Sequence, residues 1–251
     1  MVESGPAMSK SNDLEHYERR ADEWWEPSSK AFRSLRSVNE LRIDTLREWL
    51  GPRLAGARVV DIGCGGGFLS EALIGEGARV VGLDISRASA DAATRRLGAR
   101  FVQGDALRTP FASASADMVM LADVVEHVRP FERALAEAAR LLVDGGFLYV
   151  NTINRTVRAR LLAVTVAEGL GLIPRGTHDA DMFVSPAELT DAARGLGLER
   201  VQLQGQTPDL VRTLERWAVT LRKSDDLSVG YSALFCKQSP SADAIGRGRE
   251  A

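Results

Sequence analysis

The stretch from Arg58 to Asp84 constrains this chain more than any other. Val59, Val60 and Ile62 make a short apolar run of strand character, followed at once by Gly63, Gly65, Gly66 and Gly67. A helical pattern takes over from Phe68 to Glu76, and a second strand, Arg79 to Leu83, ends on Asp84. Strand, glycine turn, helix, strand and terminal carboxylate is the order in which an α/β chain brings its backbone against a nucleoside and accepts from a ribose diol.

The rest of the chain continues the alternation. A helix with Ser86 as N-cap runs to Leu97 and stops at Gly98. Strands are predicted at Arg100–Gln103, Asp117–Ala122 and Phe147–Asn151, with a helix at Phe131–Val143 that ends at Asp144-Gly145-Gly146. Asp84, Asp105, Asp123 and Asn151 then end four successive strands, where ligands collect in such folds. Before this core, helices are predicted at Leu14–Trp25 and Ser37–Leu50. Trp24 and Trp25 either cover a sheet edge or serve the site. After it, residues 155–173 form an apolar helix-like segment closed by Pro174, and a polar loop follows at Arg175–Asp179. Ser185-Pro186-Ala187-Glu188 is a capping box opening a helix to Arg194, and Val201–Gln204 and Ser228–Cys236 are the last strands. The expected architecture is a Rossmann-like α/β fold with a doubly wound, mostly parallel sheet and an antiparallel C-terminal strand. Helices cover both faces, with an N-terminal helical cap and a helical lid after strand five. One domain spans 13–236, with the cap at 13–57 and the lid at 155–182; 1–12 and 237–251 are expected to be disordered.

A net charge of −2 offers no basic field for nucleic acid, and Cys64 and Cys236 have neither metal-ligand spacing nor a disulfide framework. With no signal peptide and no apolar run of spanning length, a cytoplasmic location is the expectation. A dinucleotide site would place its third glycine at the helix start, where Phe68 stands. Gly104-Asp105, positioned to accept from an adenine amino group, adds to the case for a different adenosine cofactor.

Asp61-Ile-Gly-Cys-Gly-Gly-Gly67, Asp84, Gly104-Asp105 and Asp144-Gly-Gly146 resemble the successive motifs of class I S-adenosylmethionine-dependent methyltransferases. The resemblance narrows to the ubiquinone-biosynthesis O-methyltransferases, which methylate polyprenyl phenols and catechols. It rests on Trp24-Trp25, Asn39-Glu-Leu-Arg42, Glu126-His127-Val128, Asn154-Arg155, the Pro174–Asp179 loop and Phe183–Leu189, and it covers roughly Tyr17 to Cys236. The resemblance implies that Arg42, Gly63 and Asp84 contact S-adenosylmethionine, together with Ala122, a position usually held by methionine. Gly63 and Gly65, with Gly67 in the same turn, let the backbone approach the methionine portion. Asp61 orients the turn and the amino group, Asp84 accepts from the ribose, and Asp105 faces the adenine. Arg42 is suited to a carboxylate.

Methyl transfer to a phenol needs the proton of a group with a pKa near ~10 to be removed or weakened. Asp123, Glu126 and His127 follow strand four, and on a helix they would share one face. Two roles stay open: His127 as general base oriented by Glu126, or all three as ligands to a divalent cation such as magnesium. A local helix N-terminus is the plain alternative. Asn151, Asn154 and His178 are the acceptor-side candidates, and Cys64 is expected to pack rather than react. The 155–173 segment is either a buried lid helix or an interfacial one giving peripheral membrane contact, as a prenylated acceptor would favour. The leading expectation is an O-methyltransferase for a phenol or catechol, with a polyprenylated quinone precursor as one such acceptor. A small natural-product acceptor and a non-catalytic cofactor-binding protein are the alternatives. Gly230, where the family's Val-Asn-Tyr has asparagine, keeps the acceptor open.

Overall fold

A computed structural model of the chain describes residues 14–239. The predicted N-terminal disorder at 1–12 lies outside these residues, as does most of the predicted tail. Lys237, assigned to that tail, instead closes the last strand and donates to the carbonyls of Ala139 and Leu142. Eight strands form one sheet: β1 Arg58–Ile62, β2 Arg79–Asp84, β3 Arg100–Gln103, β4 Ala116–Ala122, β5 Leu142–Ile153, β6 Leu198–Pro208, β7 Leu221–Ser224 and β8 Gly230–Lys237. Their order is β3-β2-β1-β4-β5-β8-β6-β7. The first five are parallel, and β8 runs antiparallel between β5 and β6. This is the Rossmann-like arrangement expected from the alternation, with β7 added as a short edge hairpin partner of β6.

The helices are α1 Leu14–Arg19, α2 Arg33–Leu50, α3 Phe68–Gly75, α4 Arg87–Leu97, α5 Phe131–Leu141, α6 Val157–Arg160, α7 Pro186–Arg194 and α8 Leu210–Arg216. Alternate residues of each central strand feed opposite layers, because side chains alternate across a pleated sheet. Val59, Val80, Met118, Met120 and Tyr149 meet α2 and α3 on one face. Val60, Ile62, Val119, Leu121, Leu148 and Val150 meet α5 and α7 on the other. Fully burying side chains such as Leu46, Leu73 and Leu135 contributes about 1.5–3 kcal/mol each, which fixes the sheet under its helices. Strand order reverses between β1 and β4, and the crevice at their carboxyl ends is where such sheets bind ligands.

Several local signals are realised as read. Ser86 accepts from the Ser89 N–H, Gly98 ends α4 at φ +62°, and Ser185 and Glu188 form the reciprocal capping box of α7. Others shift. The first helix stops at Arg19 and a 3₁₀ turn carries the chain past Ala21–Glu23, so that Trp24 and Trp25 leave the helix and turn inward. Asp144-Gly145-Gly146 does not end in a free turn. With Gly145 at φ +76°, it forms an irregular start to β5, and the β4–β5 register shifts there. The 155–173 segment is not one regular helix: α6, capped by the Thr156 hydroxyl, runs into a π-helical stretch at Leu161–Ala167. Wide turns of this kind recur near functional sites.

Candidate active site

The crevice between β1 and β4 opens into a cavity of about 270 Å³ whose walls come from β1, β2, β4, the N-terminal helices and the lid. Asp61, Gly63, Gly65, Asp84, Asp105 and Ala122 all line it, as do Arg42, Asp123 and His127. Gly67 does not. Its backbone, at φ +91°, starts α3, and a Cβ there would lie 2.9 Å from Leu97 and 3.1 Å from Ala93 of α4. Its absent side chain serves helix packing rather than the cavity.

Asp84 ends β2 with both oxygens engaged from below: Oδ2 accepts from the Gly65 N–H at 2.7 Å and Oδ1 from the Ser86 N–H at 2.8 Å. Each oxygen keeps acceptor capacity for a ligand. Burial pushes its carboxyl above the ordinary value, against the pull of those two N–H groups. Burial likewise lifts Asp61 to about 6; the Ser70 hydroxyl, 2.6 Å from Oδ2, opposes the shift and Asp84 adds to it. Two buried acids in one cavity are relieved by a cationic ligand with hydroxyl or ammonium donors. Asp105 accepts from the Leu107 N–H at 2.8 Å, and Cys64 packs among Ala90, Ala93 and Phe101 with its thiol pushed up by burial, an inert filler as expected.

The strand-four residues do not share a helical face. The segment after β4 is a turn, because Asp123 adopts φ +54°, outside the helical region. Its carboxylate pairs with Arg42. Glu126 is 1% exposed and its carboxyl lies beside the Thr152 hydroxyl. Burial, with Asp123 nearby, pushes its carboxyl up to about 8, so it is protonated at neutral pH. His127 faces the cavity and stacks on His178, ring centroids 5.7 Å apart. Burial and the neighbouring His178 press its imidazole down to about 4, so it is neutral and able to accept a proton bond. Among the described residues no three of His, Cys, Asp and Glu come together as metal ligands. The expected Asp123, Glu126, His127 set is not gathered around one point, with Asp123 paired to Arg42, and does not fit a divalent cation.

Asn151 and Asn154, expected at the acceptor, hold framework instead. Asn151 accepts from Arg42 Nε at 2.8 Å and donates to Gln206 and Ser232, while Asn154 donates to the Leu227 carbonyl at 2.8 Å. His178 does line the cavity. Trp24, left open between cover and site, proves to be part of the wall: its buried indole lies over Gly65 and Gly66, stacks on Phe32 at 3.8 Å and donates to Ser89. Trp25 donates to the Gly66 carbonyl at 3.0 Å.

A methyltransferase domain family matches residues 60–150. The chain is 39% identical over 246 residues to the ubiquinone biosynthesis O-methyltransferase of Ralstonia nicotianae, covering 94% of this chain and 98% of that protein. This chain belongs to the ubiquinone biosynthesis O-methyltransferase family. The corresponding protein of Paracidovorax citrulli is 36% identical over 247 residues, 95% of this chain and 99% of its own. Among solved structures, a SAM-dependent methyltransferase from Thermotoga maritima superposes with a TM-score of 0.64 at 22% identity, covering 90% of this chain and all of that one. That likeness concerns the fold.

The enzyme is therefore an S-adenosylmethionine-dependent methyltransferase. The cavity suits that donor. Asp61 and Asp84 offer acceptors of the kind that an ammonium and a ribose diol require, and Arg42 has N–H groups left over after its bonds to Asn151, Asn39 and Asp123. Trp24 and Phe68 add an aromatic wall. In the sequence Glu168 reads only as an interruption of the apolar 155–173 segment of this methyltransferase. Glu168, the single acid of the 155–173 segment, is 6% exposed and accepts from the Gly176 N–H at 2.7 Å and the His178 N–H at 3.0 Å. A single acid inside an apolar run was the signal for it.

Proposed function

We propose that this methyltransferase transfers a methyl group to a phenol or catechol hydroxyl of a prenylated quinone precursor. The observation that carries the reading is the cavity itself, whose wall brings together Asp84, Asp61 and the stacked His127–His178 pair. Family membership supplies the acceptor class, since relatives of matching length are named for ubiquinone biosynthesis. S-adenosylmethionine supplies a methyl carbon activated on a sulfonium. The chain's own residues bind and orient. Asp84 accepts from the ribose hydroxyls, Asp105 from the adenine amino group, and Asp61 and Arg42 take the ammonium and carboxylate. Gly63 and Gly65 let the backbone come close, and Ala122 closes the adenosine side. His127, on the cavity wall and uncharged, is the ring that would take a hydrogen bond from the acceptor hydroxyl as that oxygen becomes nucleophilic. Holding the two reactants in line in a cavity shut by the lid is the larger part of the work. No step is assigned to a divalent cation, because the residues do not form its ligand set.

The cavity shares His16, Ala31, Ile173 and Pro174 with a second hollow under the lid, which gives an acceptor's prenyl tail a route outward. The same side carries apolar surface. Val157, Leu161 and Leu170 of the lid are more than half exposed, and so are Leu210, Val211 and Leu214 of α8. The Ser34 hydroxyl donates to the Leu172 carbonyl and accepts from the Val219 N–H, so both segments meet at the start of α2. This supports peripheral membrane contact by the lid with α8 beside it. No helix among the described residues is long and apolar enough to cross a bilayer.

Radiolabelled methyl transfer to a panel of catechols and prenylated phenols tests the activity, with calorimetry for the donor. Asp84→Ala is expected to weaken S-adenosylmethionine binding by about 10- to 100-fold, the loss of a pair of charge-assisted hydrogen bonds. Unchanged donor affinity in that variant, or a wild type that labels no phenol, would sink the reading.

A further inference from the structure

His178 reaches the cavity through an arrangement that neither its own loop nor its neighbours in sequence provide. The loop from Pro174 to Asp179 has little regular structure. Its shape is set from the lid, where both carboxylate oxygens of Glu168 accept backbone N–H groups: Oε2 from Gly176 and Oε1 from His178. Oε1 also lies 3.4 Å from the buried His178 Nδ1, and against the upward push of burial that contact helps to hold the Glu168 carboxyl below its ordinary value. Gly176, at φ +77°, supplies the left-handed step that turns both N–H groups toward one carboxylate. Thr177 closes the turn by donating to the Pro174 carbonyl at 2.7 Å. The imidazole of His178 is thereby laid against His127 with an interplanar angle of 27°, and both rings line the cavity. An acid buried to this degree in an apolar helix is costly unless its oxygens are fully used, and here every contact it makes goes to this one turn.

We infer that Glu168 is a positioning residue for methyl transfer: from the lid it clasps the Gly176–His178 turn and so holds His178 beside His127 against the acceptor hydroxyl. The inference rests on the acceptor lying at the histidine end of the cavity, as proposed above. Its chemistry adds no reagent. The acceptor's O–H bond is polarised by the paired imidazoles, and His178, with Nδ1 turned toward Glu168, presents its other ring nitrogen to the cavity. The clasp thereby joins the end of the π-helical segment to the histidine loop.

The test is a double-mutant cycle on the full-length enzyme with Glu168→Ala, Glu168→Gln and His178→Ala. Glu168→Ala is expected to lower kcat for the acceptor by about 10- to 100-fold, the scale of a misplaced catalytic group, with the Kd for S-adenosylmethionine unchanged. Glu168→Gln keeps one carbonyl oxygen and is expected to recover part of that loss. In the His178→Ala background, Glu168→Ala is expected to cost less than about 2-fold, because the two residues act as a unit. Equal losses in both backgrounds, or a parallel loss of donor binding, would show a merely structural glutamate and overturn the inference. Amide hydrogen exchange reads the clasp whatever acceptor the enzyme takes. Glu168→Ala should speed exchange in a peptide covering 175–179 at least about 10-fold, and unchanged exchange there overturns the inference even if no phenol is methylated.

Discussion

The indole of Trp24 lies so close over Gly66 that a Cβ at that glycine would stand 2.3 Å from the ring. The glycine-dense turn between β1 and α3 therefore answers two demands at once, close approach to a ligand on one side and an aromatic lid on the other. Gly66→Ala must displace Trp24 from its stack on Phe32 and its bond to Ser89. Overpacking of this kind is expected to cost about 1–3 kcal/mol in chemical denaturation, accompanied by a changed tryptophan emission and weaker donor binding. Gly98→Ala is the control. Unlike Gly66 it is left-handed, at φ +62°, but it meets nothing within 4 Å, so it should cost only the backbone strain of about 1–2 kcal/mol and leave the emission untouched.

Arg42 and Asp123 come from positions 81 residues apart to form the buried hub that joins α2 to the end of β4. Burial alone would push the guanidinium down, but Asp123, together with Tyr149 and Glu126, outweighs it and Arg42 stays charged. Removing one partner strands the other, together with the Asn151 carbonyl oxygen that Arg42 Nε satisfies. Arg42→Ala is expected to destabilise by about 3 kcal/mol, the low end for a broken buried pair because Asp123 is 29% exposed. The Arg42→Ala, Asp123→Ala double variant should recover about 1 kcal/mol of the summed single losses. Additive losses in urea titrations would mean the pair contributes no coupling.

How far this hub could be read beforehand shows where sequence reasoning ends. The capping box at Ser185, the Ser86 cap and the strand-end acids Asp84 and Asp105 were legible, because each depends on residues within a few positions of one another. The metal reading of Asp123, Glu126 and His127 failed on one dihedral: spacings of three and four put side chains on one face only if the backbone is helical, and φ +54° at Asp123 prevents that. The contacts of Trp24 with Gly66, His127 with His178, and Asn151 with Arg42 join distant segments. They depend on how layers pack, for which local pattern carries no signal. Asn151 illustrates the consequence: its place at a strand end was legible, but not that Arg42, Gln206 and Ser232 would use up its amide.

Glu126 sets the pH dependence of stability. Its carboxyl is raised from an ordinary 4.5 to about 8, by burial first and Asp123 second. The unfolded chain releases this proton near its ordinary value while the folded chain keeps it. The group's contribution is thus fully present at low pH and is lost as pH rises toward and through about 8. Glu126→Gln has no proton to lose there. Wild type and Glu126→Gln should melt alike at pH 5, and the variant should be more stable by a few degrees, roughly 2–4 °C or more, at pH 8. Parallel melting curves across that range would contradict the burial of an uncompensated carboxyl.

The exposed face of α8 offers a sharp check on membrane contact, because its side chains can be changed without touching the core. Leu210, Val211 and Leu214 are 66–67% exposed, and Trp217, 50% exposed, follows at the helix end. On the lid, Val157 is 86% exposed. Inserting part of a leucine or valine side chain into an interface gains about 1 kcal/mol, below the 1.5–3 kcal/mol of full burial. Changing Leu210, Val211 and Leu214 together to serine should therefore lower binding to anionic phospholipid vesicles by about 100-fold in co-sedimentation, with little effect on melting temperature. Donor affinity should be unchanged, since none of the three lines the cavity. Wild-type vesicle binding should shift Trp217 emission to the blue, and Trp217→Phe should remove that shift. If the triple variant sediments with vesicles as wild type does, α8 takes no part, and the Val157 and Leu161 face of the lid must be tested by itself.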